Sequence, residues 1–133
     1  MDDELLAAFE DGTLPREQWN HRAHVCVAYL IACQHELPEA IDRMRAGLQA
    51  YNAAQGVPET LERGYHETVT VAFMHLIHAA VRYCGMAPSS DEFCERHPEL
   101  LDKFCLRYFY SSDRILTREA KVHFVEPDLA PLP

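Results

Sequence analysis

Apolar positions recur along most of this chain at three- and four-residue spacing, the period of an α-helix with one buried face. Between Leu37 and Gln55 they fall at 37, 41, 44, 48 and 51, with Pro38 in the first turn and Gly56 as a stop, which predicts an amphipathic helix on the outside of a bundle. Asp2 to Glu10 reads as a short acidic helix closed by Gly12. Trp19 to Cys33, WNHRAHVCVAYLIAC, is apolar on every face once the helix has begun, so it predicts a buried central helix with Asn20 as N-cap and Trp19 as a packing anchor before it. Tyr65 to Cys84, YHETVTVAFMHLIHAAVRYC, contains a β-branched stretch, but its length and the flanking Gly64 and Gly85 predict a second long helix. Ser89 caps a short helix over Asp91 to Glu95, Pro98 opens another running from about Glu99 to Tyr110, and Thr117 caps a last turn through Phe124. The tail VEPDLAPLP holds too much proline to be helical and should lie extended along the bundle, with Val125, Leu129 and Leu132 to pack. The expected fold is all-α: a single-domain bundle, residues 1–133, of four main helices plus short ones.

Composition narrows the partners. With 48% hydrophobic residues in 133, the chain can build one core of useful size. The formal charge is −9, from 21 acidic against 12 basic residues without a Lys/Arg cluster, which argues against nucleic acid or an anionic membrane as partner. The opening MDDELLAAFEDG lacks a basic and an apolar leader region, and the apolar run ending at Cys33 is too short to span a bilayer, so a cytoplasmic protein is expected. Five cysteines, at 26, 33, 84, 94 and 105, form no C-x-x-C pair and read as reduced, mostly core residues. Nothing in the sequence sets the oligomeric state, and a homodimer is compatible with it.

Histidines carry the candidate chemistry. His21 and His24 lie one turn apart at the start of the central helix, and their rings need partners if they are buried. His66 and Glu67 open the second long helix in GYHETVT, half of an H-E-x-x-H zinc motif whose second histidine position is Thr70. His21 and His24 could supply the missing ligands from the neighbouring helix. Three histidines with Glu67 beside them would then form a mononuclear site with an open position, Glu67 acting as general base. Nitrogen donors suit zinc first, with iron, manganese or nickel as alternatives. The expected function is a metal-dependent enzyme acting on a small-molecule substrate, by hydrolysis or isomerisation as the default. The rival is a non-catalytic helical module that binds a metal or a partner. His75 and His78 point about 120–180° away from His66 and belong to another face. Arg107, Tyr108, Tyr110, Arg114 and Arg118 could anchor an anion, but structural pairing is the better reading, as it is for Glu126 and Asp128.

WNHRAHVCVAYL, GYHETVT, LLDKFCLRYFYSSDRILTREA and VEPDLAPLP together resemble a family of small, uncharacterised bacterial all-helical proteins, over nearly the whole chain. The resemblance implies a self-contained domain and no named activity. The inferred architecture is also similar to bundles of the DinB type, whose metal is held by histidines from different helices, although the ligand spacings here do not match.

Overall fold

The computed structural model describes residues 2–133, and its regular elements are all helical, with no strand among them. Its α-helices are α1 (Asp2–Asp11), α2 (His21–Gln34), α3 (Leu37–Ala54), α4 (Glu67–Cys84), α5 (Ser90–Arg96), α6 (Ser112–Ile115) and α7 (Arg118–Val122). Single 3-10 turns occupy Arg16–Gln18, Pro98–Leu101 and Cys105–Tyr108. The all-α, single-bundle expectation holds, and no described helix is long and apolar enough to cross a membrane.

Helix α2 is the central element because its residues offer no polar face. Val25, Cys26, Val27, Ala28, Tyr29, Ile31 and Ala32 are all buried, and the helix packs against α1, α3, α4 and α5. Asn20 caps it as expected, its side-chain oxygen accepting the Ala23 N–H at 2.9 Å. Helix α3 buries the single stripe Ala40, Met44, Leu48 and Tyr51. Gly47 on that helix admits the Phe9 ring of α1 so closely that a Cβ there would lie 2.5 Å from the ring.

Two cores meet at α4. Met74 and Ile77 face the main core with Val25, Met44, Tyr51 and Phe93. Ala72 faces a smaller core built with Leu106, Tyr110, Ala120 and Val125 of the C-terminal segment, against which Leu132 also packs. The proline-rich tail therefore lies on the bundle. It is held there by Tyr110 donating to the Val125 carbonyl at 2.7 Å, the Leu129 N–H donating to Phe109, and Asp128 accepting both the N–H and the hydroxyl of Ser111.

One expected helix is replaced. Glu99 to Tyr110 forms two 3-10 turns separated at Asp102, whose carboxylate takes the Phe104 N–H at 2.9 Å and pairs with Arg107 at 2.7 Å. An aspartate that captures a nearby backbone N–H competes with the helical ladder, and here it breaks it. The turn that TLPREQW predicts ahead of the central helix is the 3-10 turn at Arg16–Gln18, whereas α6 is not anticipated by periodicity. The cysteines are all free: Cys26, Cys94 and Cys105 are buried, Cys33 is half-buried and Cys84 is exposed.

Candidate active site

Between α2, α3 and α4 lies a cavity of about 490 Å³, and His21, His24 and His66 all line it. The structure thus brings together the three histidines singled out in the sequence. It gives each a different set of partners.

His24 stands on the wall by virtue of an aromatic stack. The Phe9 ring lies against Trp19 with centroids 4.9 Å apart, and Trp19 covers the His24 ring at 3.9 Å. No hydrogen bond reaches either ring nitrogen from the described residues. No described side-chain nitrogen or oxygen sealed from solvent lacks a partner, so the nitrogens of His24, a residue of the cavity wall, are not sealed off. Burial, and then the charge of nearby His21, pushes its pKa down from 6.5 to about 4. At neutral pH His24 is an uncharged imidazole on the cavity wall.

His21, one turn earlier, uses Nε2 to donate to the Leu100 carbonyl at 2.8 Å and rests edge-on against Phe73. Its Nδ1 is left over. His66 has neither nitrogen to spare. It is the N-cap of α4, with Nδ1 accepting the Val69 N–H at 3.1 Å, and Nε2 makes a 3.1 Å bond to the Ile115 carbonyl. An accepting Nδ1 requires the proton on Nε2, so these two bonds select one neutral tautomer. Burial lowers its pKa in the same direction as that of His24.

Glu67 does not line the cavity. Arg45 of α3 grips it with two parallel bonds, Nε to Oε1 at 2.9 Å and Nη2 to Oε2 at 2.7 Å, and the Tyr65 hydroxyl donates to Oε1 at 2.6 Å. Arg45, more than the Tyr65 bond, holds the carboxyl below its ordinary pKa, with burial opposing. Tyr65 and Thr70 do line the cavity, so Glu67 acts on the wall through the phenol that it orients. The Tyr65 backbone is placed in turn by Glu59, whose carboxylate takes its N–H. Gly64, at φ +94°, leaves room for that carboxylate where any Cβ would collide with it.

Among the described residues no three His, Cys, Asp or Glu side chains are arranged to hold a metal ion. His75 and His78 lie away from the cavity as expected, His75 bonding the Pro133 carbonyl at 3.3 Å. Arg107 pairs with Asp102 and stacks on Tyr108, Arg114 donates to the Glu126 carbonyl, and Tyr110 is a core residue, so the structural reading of that segment holds. Sequence reading did not pick out Arg16, Arg63 and Lys103, which reach the cavity from three separate loops. It also passed over Arg45. Nothing in local periodicity marks them, because their importance comes from convergence. The chain matches no protein-family model, no curated protein and no solved structure.

Proposed function

We propose that this cavity is the active site of an enzyme acting on a small molecule, with His24 as its acid–base group. The observation that carries the reading is the neutral imidazole of His24, held by stacking on Trp19 and unpartnered on the wall of a cavity of ligand-binding size. A buried polar ring normally finds a protein partner. Among the three histidines only His24 keeps both nitrogens for a bound molecule. An uncharged imidazole can take a proton from a substrate and return it one step later, and Tyr65 and Thr70 line the same cavity.

Acylation by diethyl pyrocarbonate, read by peptide mass spectrometry, tests the environment without a known substrate. His24 should react readily and His66 slowly. Small molecules found by protein-observed NMR should protect His24. For a ligand that is turned over, His24→Gln should keep binding while the rate falls about 10²–10⁴-fold. An unreactive His24, or full turnover in the Gln variant, would overturn the assignment.

A second reading is favoured by the position of His21 and His24, one turn apart on one cavity wall. They are two nitrogen ligands for a divalent ion, zinc first and iron, manganese or nickel otherwise, with water or substrate supplying the remaining positions. His66 joins such a centre only by releasing Val69 and Ile115. Elemental analysis of protein purified without a histidine tag decides: a stoichiometric metal lost in His21→Ala and His24→Ala supports this reading, and metal-free active protein removes it.

A further inference from the structure

We propose that the molecule taken into this cavity is a small organic acid with an apolar, ring-sized body, its anionic head held at the mouth by Arg16, Arg63 and Lys103. The proposal rests on the reading of the cavity as a small-molecule site and adds the class of molecule that it selects.

Charge distribution is the first ground. The chain carries 21 acidic residues against 12 basic ones, yet no aspartate or glutamate lines the cavity, while three cations do. Drawn at the chain's own composition, such a lining would include about three acids. An anion approaching this protein meets a chain of net charge −9, and the three cations at the cavity give it a local attraction.

The second ground is that the three cations have no protein counter-ion. Among the described residues none of Arg16, Arg63 and Lys103 makes an ion pair, not even with the adjoining Glu17 and Glu62, and two further acids close to them in sequence are engaged elsewhere. Asp102, next to Lys103, is tied to Arg107 at 2.7 Å. Glu59, four residues before Arg63, accepts from Lys121 at 3.2 Å and from the Tyr65 N–H. Three exposed cations, delivered by the turn before α2, the loop after α3 and the loop between two 3-10 turns, converge on one rim.

The third ground is the interior. Apart from the three histidines and a few neutral polar groups, the walls are largely apolar, with Trp19, Phe73, Met44, Leu48, Met74 and Ile77 among them. Such walls repay an apolar body and reject a fully polar anion, whose desolvation they cannot offset. An acid of this shape would place its apolar part beside His24 and its charge in the rim.

Calorimetric titration with four probes of one shape tests this: phenylacetate, phenyl phosphate, phenylacetamide and phenethylamine, followed in parallel by protection of His24 from acylation. One or both acids should bind at least about tenfold more tightly than the amide, and the amine should bind least. The stronger of the two acids identifies the head group as carboxylate or phosphate. Arg16→Gln, Arg63→Gln and Lys103→Gln, all at exposed positions, should each weaken the acid by about two- to fivefold and leave the amide unchanged. Raising the salt should weaken the acid alone. If amide or amine binds as well as the acids and protects His24, the anion preference is wrong and the small-molecule site stands. If none of the four protects His24, both readings fall.

Discussion

The first turns of α2 and α4 each present a neutral histidine to the same cavity, and the protein treats the two in opposite ways. At α4 the turn is closed. His66 caps its own helix and reaches across to Ile115, while the same turn is tied to the C-terminal segment through Thr68, which donates to the His123 carbonyl at 2.9 Å and accepts the Val125 N–H at 3.1 Å. At α2 the cap is supplied by Asn20, so His24 has no structural duty beyond its stack on Trp19. A histidine that caps is consumed by the fold. One that is relieved of capping is left for a ligand.

Breaking the closed turn should have the largest effect. Thr68 is fully buried, and Thr68→Val keeps its shape while leaving the His123 carbonyl and Val125 N–H without partners. The expected loss is about 2–4 kcal/mol in a denaturant melt, with faster hydrogen exchange at Val125. A loss below about 1 kcal/mol would mean that the C-terminal segment is not latched through this hydroxyl.

Acid titration sharpens the other side. His24 has its folded pKa near 4, below its ordinary 6.5, so the unfolded chain takes up this proton first as pH falls. Its contribution is complete above about pH 6.5 and is lost progressively toward pH 4, with a ceiling of about 3 kcal/mol. His24→Gln should flatten that part of the stability curve. The lowered pKa of His66 should leave a residual slope of the same sign.

The two histidines should then separate on mutation. His66→Ala loses a cap and a hydrogen bond, about 1.5–2.5 kcal/mol, and His66→Asn should recover the cap portion. His24→Ala should cost no more than about 1 kcal/mol, mostly stacking, while abolishing the reactive imidazole. Equal costs would erase the distinction between a structural and a free histidine.

The smallest effect is expected at Glu67. Glu67→Gln weakens the Arg45 pair, which is partly exposed and retains Asp42, so about 1 kcal/mol is expected. If Glu67 only orients Tyr65, Tyr65→Phe and Glu67→Gln should perturb the bound probe similarly, and the double variant should add little. A full loss of turnover in Glu67→Gln with Tyr65→Phe unaffected would restore Glu67 as the general base expected from the motif.

The residues alone determined the helices and most of their ends. Three-and-four spacing, Asn20, Ser89, Thr117 and Gly85 act within a turn or two of the chain, where local sterics and single hydrogen bonds decide. The nomination of His21, His24 and His66 as neighbours was also made from the residues, on the condition that the two apolar helices place their first turns side by side, and the three do line one cavity. Their roles were not legible. Whether an imidazole is free depends on whether a carbonyl such as that of Ile115 or Leu100 arrives from a distant segment, and whether Glu67 is a base depends on Arg45 reaching it from α3. The rim of Arg16, Arg63 and Lys103 exists only because three loops end at one opening. Spacing along a chain constrains partners within a few residues, whereas the partners that set pKa, tautomer and access here are supplied by chain closure, which tertiary packing alone decides.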